Sequence, residues 1–357
     1  MKEQIIELAK KLILFKSTVD NPEEKQNIID FVIEYLKNYD VKTEKLEFEG
    51  VPSLVVTFDG EKKQKVWMNG HIDVVPADDD MYEAFEKDGR LYGRGALDMK
   101  TNAAASIMLM VEFSKMEKKP SVGLMLVTDE EIGGFNGSKK LMEAGYTGDF
   151  LICCEPTSLD VKNKAKGIFG VELVAKGKSA HGAYPWDGEN AIYNFYPEFE
   201  KVKKMFTDPM TLNVDVWDTT YSLNRLNSGT ANNKVPDECK GYVDIRYTDK
   251  FDKEQFIEKV KAETKFEVKV VMDAPMFFTD QSNPMFMKFI EIARKHNPEL
   301  KIKHGNGASD TRFFSEAGLA ATEFGGTGEG MHSENEYIEI NSVLKSYEVW
   351  KEFILSS

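Results

Sequence analysis

Histidine and acidic residues follow several predicted strands, in a pattern suited to binding a pair of divalent metal ions. Residues 70–76 contain His71 and Asp73, and residues 93–100 contain Asp98. The remaining candidates are Glu130, Glu131, Glu155 and His332. Imidazole and carboxylate groups are ligands of catalytic zinc, and a metal pair that shares one carboxylate is suited to hydrolysis.

The adjacent residues Glu130 and Glu131 are suited to two different roles. Neighbouring side chains on an extended segment point in opposite directions, so one can bind metal while the other faces substrate. A bound metal lowers the pKa of its water from about 15.7 toward about 7, and a nearby carboxylate can accept and later deliver a proton. Asp73 is placed to hydrogen-bond the His71 imidazole and fix its tautomer.

Each of these residues also has an ordinary interpretation. A His-x-Asp pair is common in loops, a Glu-Glu pair on a surface is normally solvated, and Asp98 could be a helix N-cap. Five candidate ligands at predicted strand ends, each flanked by Gly or Pro, together favour a metal site over these separate interpretations.

Composition limits the class of protein. A chain of 357 residues exceeds what one compact core usually holds, which predicts two domains. The formal net charge of −14 disfavours nucleic-acid binding, which needs a basic face. We expect no membrane association, because no segment reaches the roughly 20 apolar residues that span a bilayer. The absence of a signal-peptide pattern and of a disulfide framework predicts a cytoplasmic enzyme.

The first part of the chain alternates helices and strands, which predicts an α/β structure with a parallel or mixed sheet. The predicted helices cover residues 2–16, 24–38, 101–115 and 136–145, and the predicted strands cover 41–48, 53–58, 65–69, 121–128 and 149–154. In such sheets, ligands gather at the carboxyl ends of the strands. His71, Glu130, Glu131 and Glu155 come just after predicted strands, as this rule requires.

The order changes near residue 165 to β-α-β-β-α-β, which is the ferredoxin-like order. Its predicted elements are strand 167–176, helix 189–205, strands 219–226 and 239–247, helix 252–264 and strand 266–272. The first pattern then resumes with helix 284–296, strand 299–304, helix 309–317, strand 319–324 and helix 340–354. We therefore predict a metal-binding catalytic domain over 1–164 and 275–357, with an inserted domain over 165–274.

Several stretches, in order along nearly the whole chain, resemble the M20 family of metallohydrolases. The resemblance is strongest to the succinyl-diaminopimelate desuccinylase and acetylornithine deacetylase branch. The matching stretches are GHIDVVP at 70–76, GRGALDMK at 93–100, TDEEIGG at 128–134, CEPT at 154–157, GKSAHGAYP at 177–185, NNKVP at 232–236 and DIR at 244–246. The family implies a zinc-peptidase-like catalytic domain, in which a mixed sheet has helices on both faces. It also implies an inserted ferredoxin-like α+β lid that serves as a dimerisation domain.

The resemblance also implies a role for each metal-site residue. One ion would be held by His71 and Glu155, the other by Glu131 and His332, with Asp98 bridging. Glu130 would be the general base and then the general acid. Zinc suits these mixed ligands, and cobalt or manganese would also fit. In the family, the bridging aspartate is commonly followed by a cis peptide, which would be Asp98-Met99 here.

In relatives the lid usually forms a homodimer. His181 matches the family histidine that reaches a partner's active site and stabilises the tetrahedral oxyanion. Asn233 and Arg246 match lid residues near the substrate, and a guanidinium is suited to paired hydrogen bonds with a substrate carboxylate. Lys166 is assigned to substrate binding beside them.

Other stretches depart from the desuccinylase pattern. Two consecutive Arg are replaced by Ala165-Lys166, and Glu329 adds a negative charge near His332. Ser309 and Arg312, in a segment that also resembles peptidases of the family, are assigned to substrate binding.

The overall prediction is a metal-dependent hydrolase that acts on a small substrate with a free carboxylate, most consistent with deacylation of an N-acyl amino acid. A dipeptidase or carboxypeptidase is the alternative. A non-catalytic binding protein with this fold would be expected to lack ligands or base, and none is missing.

Overall fold

The computed structural model describes residues 1–206 and 216–357, which form two compact units. The first contains Met1–Lys164, Phe277–Lys303 and Ser309–Ser357, and the second contains Ala165–Met276 and His304–Ala308. The sequence-based boundaries placed residues 304–308 in the first domain. The structure groups them with the second, where the Lys166 backbone N–H donates to the Gly305 carbonyl at 3.1 Å.

A nine-stranded mixed sheet forms the centre of the first unit. Its strands are β1 (Lys42–Phe48), β2 (Val51–Thr57), β3 (Lys63–His71), β6 (Val122–Val127), β7 (Thr147–Cys153), β8 (Val161–Ala165), β15 (Phe277–Phe278), β16 (Ile302–Gly305) and β17 (Ala320–Glu323). Their order is β1-β2-β6-β3-β7-β17-β8-β15, and β16 pairs with β8. The adjacent strands β6, β3, β7 and β17 are parallel, whereas β1 and β2 are antiparallel to their neighbours.

A second, four-stranded sheet belongs to the same unit. Its strands are β4 (Phe85–Lys87), β5 (Arg90–Tyr92), β18 (Gly328–Glu329) and β19 (Tyr337–Glu339), in the order β18-β19-β5-β4. All of its pairings are antiparallel. This small sheet brings the segment before Asp98 next to the segment after His332.

The first unit also contains seven α-helices among the residues that the structure describes. They are α1 (Lys2–Ile13), α2 (Pro22–Leu36), α3 (Lys100–Ser114), α4 (Ser138–Glu143), α7 (Pro284–His296), α8 (Thr311–Glu316) and α9 (Ile340–Ser356). Helix α3 is buried along its whole length except at Glu112, and both α1 and α9 pack against it. Helix α3 is therefore a core helix, since a helix that is surrounded by apolar contacts on all sides is buried.

The second unit is built around a four-stranded antiparallel sheet. Its main elements are β9 (Gly167–Lys176), α5 (Ala191–Lys203), β11 (Thr220–Ser228), β13 (Glu238–Tyr247), α6 (Lys253–Glu263) and β14 (Glu267–Ala274), with the strand order β11-β13-β9-β14. Two short strands, β10 (Ala180–His181) and β12 (Lys234–Val235), pair separately. Burial alternates strictly along β13, so one face of the sheet packs on a core that includes residues of α5 and α6.

The mixed α/β fold class agrees with the prediction, as does the β-α-β-β-α-β order of the second unit. Observed helix and strand ends differ from the predicted ones by a few residues. The three cysteines are free and buried. Within 1–206 and 216–357, no helix combines the length and apolar character that crossing a membrane requires.

Candidate metal centre

Three parallel strands carry candidate ligands to the same edge of the large sheet. His71 is the last residue of β3, Glu155 follows the end of β7 by two residues, and Glu130-Glu131 begin a short 3-10 turn after β6. Since β3 pairs in parallel with both β6 and β7, their carboxyl ends meet. Strand direction therefore accounts for the clustering of these residues.

The other two ligands come from loops. Asp98 lies two residues before α3, and the predicted cis peptide is present between Asp98 and Met99. His332 lies between β18 and β19 with a φ of 62°, a left-handed conformation uncommon for a residue with a side chain.

Asp98 lies between two groups of ligands. Its Oδ1 is 2.9 Å from His71 Nε2 and its Oδ2 is 3.3 Å from His332 Nε2. His71 Nε2 is also 3.7 Å from Glu155 Oε1, and His332 Nε2 is 3.2 Å from Glu131 Oε2. In each triad the ligand atoms lie within 4.8 Å of one another, and the two triads have only Asp98 in common.

The electrostatics of the cluster reflect the crowding of carboxylates in a buried place. Burial raises the pKa of Glu155 to about 8 despite the nearby His71, and burial likewise raises the pKa of Glu131. Burial opposes protonation of His71, but hydrogen bonds to Asp73 and Asp98 outweigh it and raise the pKa of His71 well above its usual value. Burial also acts to raise the pKa of Asp98, yet the two imidazoles lower it on balance.

These residues fit a pair of divalent cations. Each triad offers one imidazole nitrogen and two carboxylate oxygens, a donor set found for zinc, cobalt and manganese. The buried carboxylates repel one another, and positive charge placed among them would relieve that repulsion.

Asp73 makes a contact that sequence spacing did not predict. Its carboxylate accepts the backbone N–H of Glu130 at 3.3 Å and that of Glu131 at 3.1 Å. Toward the imidazole, His71 Nδ1 is 3.1 Å from the Asp73 backbone carbonyl and 3.5 Å from Oδ1. The carbonyl is the closer hydrogen-bond partner, so Asp73 orients His71 mainly through its backbone and the glutamate turn through its side chain.

Glu130 lies beside the two triads without belonging to either. Its side chain is partly exposed, and burial raises its pKa well above the usual value while His71 opposes the shift. A carboxyl group of this kind, next to a candidate metal pair, can exchange a proton with a reacting group.

Glu336 is a buried residue for which the sequence predicted no role. Its Oε1 accepts the backbone N–H groups of Gly95, Leu97 and Asp98 at 3.0, 2.9 and 3.1 Å, and its Oε2 pairs with Arg94. The available signal was its position four residues after His332 in a short loop. Its partners are more than 230 residues away, so sequence could not identify them.

A cleft of about 700 Å³ adjoins His332 within the first unit. Its other lining residues are Pro76, Ala77, Asp78, Met81, Arg94, Ser333, Glu334 and Asn335. A small molecule can therefore approach this imidazole from solvent.

Ser309 and Arg312 are engaged in contacts within the first unit. Both are buried, and the Ser309 hydroxyl donates to Glu323 Oε1 at 2.5 Å. Arg312 donates from Nη1 to the Ser309 carbonyl and from Nη2 to the Gly133 carbonyl, both at 2.6 Å. The hydrogen bonds described for these two side chains are therefore to other protein groups of the first unit.

The remaining predicted residues lie in the second unit. His181, the last residue of β10, and Asn233, just before β12, are exposed, and Gly182 donates its N–H to the Asn233 carbonyl at 2.6 Å. Arg246 is half-buried on β13 and donates from Nε to Asp244 Oδ2 at 3.0 Å. Lys166 is buried and lies between the end of β8 and the start of β9 in the chain.

The His181 ring has a defined orientation. Its Nδ1 accepts the backbone N–H of Ala183 at 3.1 Å. In a neutral imidazole one nitrogen accepts and the other carries the proton, so this bond leaves Nε2 as the donor. The exposed Nε2–H group is therefore available as a hydrogen-bond donor.

Comparison with known proteins gives a consistent result. The succinyl-diaminopimelate desuccinylase of Sulfurimonas denitrificans is 28% identical over 370 residues, covering 98% of each chain. The structure of aminopeptidase PepT from Bacillus cereus matches with a TM-score of 0.78 at 18% identity, covering 99% of this chain and 98% of that one. The Bacillus subtilis YXEP protein, described as a dinuclear metal binding peptidase from the M20 family, matches with a TM-score of 0.70 at 13% identity, covering 99% and 97%.

The family predicted from the sequence motifs is confirmed by a direct match. Residues 67–356 match the model for peptidase family M20/M25/M40. Since this match covers most of the 357 residues, the chain belongs to peptidase family M20/M25/M40 and is a hydrolase.

Proposed function

We propose that this hydrolase removes the acyl group from an N-acyl amino acid with a free carboxylate, using two divalent metal ions. The observation that carries the proposal is the position of Asp98 between two ligand triads, with Glu130 beside them. This arrangement has one shared ligand and one neighbouring carboxyl group, as a two-metal hydrolase requires.

His71 and Glu155 would hold one ion, Glu131 and His332 the other, and Asp98 would bridge them. When bound, such ions supply Lewis acidity and make water a stronger nucleophile near neutral pH. Zinc suits the ligands best, and cobalt or manganese has compatible chemistry. Asp73 fixes the position of His71 relative to the Glu130-Glu131 turn, because it contacts His71 and the backbone of both glutamates.

Glu130 carries the proton in this proposal. Its carboxylate takes a proton from the attacking water as the new carbon–oxygen bond forms. It then gives that proton to the amide nitrogen as the carbon–nitrogen bond breaks, so the products are a carboxylic acid and a free amine. One group serving both steps needs a pKa near the working pH, and burial moves Glu130 in that direction.

The substrate class rests on the relatives and on polar residues of the second unit. The 28% identical relative is named a succinyl-diaminopimelate desuccinylase, which favours removal of an acyl group. Arg246 is proposed to pair with the substrate carboxylate, because a guanidinium held through Nε still has two Nη groups for paired hydrogen bonds. Asn233 and Lys166 are proposed to assist it.

A dipeptidase or carboxypeptidase activity is the second candidate. Ala165-Lys166 stands where the desuccinylase pattern has two consecutive arginines, so a guanidinium is lacking there. The solved structures that resemble this fold include an aminopeptidase and a metallo-carboxypeptidase. A dipeptide also presents an amide next to a free carboxylate.

We also propose that the protein is a homodimer in which His181 acts in the partner's active site. The Nε2–H of His181 can donate to the oxyanion that develops on the cleaved carbonyl. Large aromatic side chains near His181 and on α5 are exposed, which suits a surface that a second copy covers. They are Tyr184, Trp186, Tyr193 and Tyr196. The free buried cysteines accord with the predicted cytoplasmic location.

A hydrolysis screen tests this proposal. Purified protein reconstituted with zinc, cobalt or manganese would be offered acetyl-, succinyl- and formyl-amino acids beside simple dipeptides. We expect the highest kcat/KM with one acyl-amino acid, and no turnover after chelation. Preference for dipeptides would instead support the peptidase candidate. Turnover of every substrate by metal-free protein would overturn the two-metal mechanism.

A further inference from the structure

The segment that contains Arg312 packs against the turn that carries Glu130 and Glu131. Arg312 is 2% exposed, and its Nη2 donates to the Gly133 carbonyl at 2.6 Å. Gly133 closes that turn, because its N–H donates to the Glu130 carbonyl at 2.8 Å. The guanidinium therefore holds the residue that completes the turn after Glu130.

Arg312 is itself fixed in place. Its Nη1 donates to the Ser309 carbonyl at 2.6 Å, and its guanidinium carbon is 4.4 Å from the centre of the Phe313 ring. Phe313 in turn packs edge-on against Phe135, just after the turn, at 5.5 Å between ring centres. A charged group this deeply buried is costly to leave without partners, so the two carbonyls and the ring define one position for it.

Asp310 contacts the same turn at a second place. Ser138 donates from Oγ to Asp310 Oδ2 at 2.6 Å. The turn approaches so closely that a Cβ added at Gly134 would lie 1.8 Å from Asp310 Oδ1. Gly133 and Gly134 have φ values of 108° and 61°, so glycine is suited to both positions.

The Glu130-Glu131 turn is thus supported at its beginning and at its end. Asp73 accepts the first two N–H groups, and Arg312 donates to the carbonyl of Gly133. We infer that Arg312 is a positioning residue, which sets where the Glu130 carboxyl group stands, rather than a residue that binds substrate. This inference rests on the proposed function, in which Glu130 moves the proton.

A positioning residue and a substrate-binding residue are expected to affect the kinetics differently. A displacement of about 1 Å in a reacting group can lower the rate of the chemical step roughly 100-fold. Loss of a positioning residue therefore lowers kcat and leaves KM nearly unchanged. Loss of a residue that binds the substrate carboxylate raises KM, and its effect disappears when that carboxylate is amidated.

The test compares Arg312→Met, Arg312→Lys and a control in the metal-loaded protein. Lys139→Met is the matched control, because the Lys139 ammonium lies 5.7 Å from the centre of the Phe135 ring and has no hydrogen bond to Gly133 among the contacts described. For Arg312→Met we expect kcat to fall about 10- to 100-fold and KM to stay within about twofold. The fall in kcat should be the same for acid substrates and for their amides. Arg312→Lys, which keeps a donor, should recover part of kcat, and Lys139→Met should resemble the unaltered protein.

Hydrogen–deuterium exchange provides a measurement that does not depend on activity. Arg312→Met should increase exchange in the peptide that covers residues 130–138, and Lys139→Met should not. If Arg312→Met does not fold, the same comparison is made with Arg312→Lys, for which we expect smaller changes in the same direction. A raised KM that amidation of the substrate abolishes, or unchanged exchange in 130–138, would overturn the inference. If the unaltered protein hydrolyses no substrate, the proposed function fails, and the exchange experiment still decides whether Arg312 holds the turn.

Discussion

The side chain of Glu336 accepts the backbone N–H of Asp98 at 3.1 Å. The same oxygen accepts the N–H groups of Gly95 and Leu97, so one carboxylate shapes the turn that delivers Asp98 to both triads. Glu336 also belongs to the loop of His332. The buried Glu336 side chain therefore links Asp98, which both triads share, to the loop that carries His332.

Glu336→Gln should weaken metal binding. The glutamine oxygen can still accept backbone N–H groups, but its NH₂ group would face Arg94 and the ion pair would be lost. Loss of a group that orients metal ligands typically lowers affinity about 10- to 100-fold. Competition with a metal indicator would measure the change. Glu334→Gln, an exposed neighbour, is the control and should bind metal normally.

Two ions per chain are expected, and both should be needed for hydrolysis. Elemental analysis after gentle purification would count them, and chelation should abolish turnover until metal is restored. Asp98→Ala should reduce the content of both ions, because Asp98 is common to the two triads. Glu155→Ala should reduce chiefly the content of one ion, because Glu155 belongs to a single triad. Full activity of metal-free protein would contradict this prediction.

The neighbours Glu130 and Glu131 should give opposite results when each is changed to glutamine. Glu130→Gln should retain both ions and lose turnover about 10²- to 10⁴-fold, because the amide cannot accept the proton. Glu131→Gln should lose metal, since Glu131 belongs to a triad. Parallel measurements of kcat and metal content would separate these effects. An unchanged kcat in Glu130→Gln would assign proton transfer to another residue.

Arg246 should determine the preference for a free carboxylate. Arg246→Met should lower kcat/KM by about 10- to 100-fold with acid substrates and have little effect with their amides. The half-buried position of Arg246 places the expected loss below that of a fully buried pair. Arg225→Met, on the neighbouring strand β11, serves as the control. Equal losses with acid and amide substrates would exclude the proposed pairing.

His181 should act across a dimer. His181→Ala should lower kcat by an amount equivalent to roughly 2.7–4 kcal/mol, the usual effect of removing one oxyanion donor, and should retain its metal. Mixing His181→Ala with Glu130→Gln should restore activity, because a hybrid dimer has one site with both groups. Light scattering at assay concentration would test dimerisation. Absence of recovery despite proven subunit exchange would exclude the shared site.

The sequence predicted the strands that precede the ligands because each contains a short apolar run close to the reactive side chain. These runs are VWM in β3, VGLMLV in β6 and FLIC in β7. Strand β5 was not predicted, because it has only three residues and pairs with β19 from a distant part of the chain. Strand β8 contains Lys and Asn, which are uncommon in strands, so its local sequence gave no signal.

Side-chain partners were harder to predict than elements. Asp73 is two residues from His71, so the imidazole was the obvious partner, yet its carboxylate contacts backbone groups more than 50 residues away. Arg312 was assigned to substrate binding because its segment resembles a stretch found in desuccinylases and peptidases of the family. Whether such a side chain faces solvent or protein depends on tertiary packing, which the local sequence does not specify.

Strand β17 lies between β7 and β8, although it is made much later than either. The hydrogen bond from Thr322 to the Lys162 carbonyl joins residues that are 160 positions apart. During synthesis, β7 and β8 therefore emerge with unpaired edges, which can pair wrongly with other strands. His332 is made only after β17. The triad of Asp98, Glu131 and His332 therefore cannot form until β17 is available to pair with β7 and β8. This triad would therefore be able to take up an ion only late in the synthesis of a new chain.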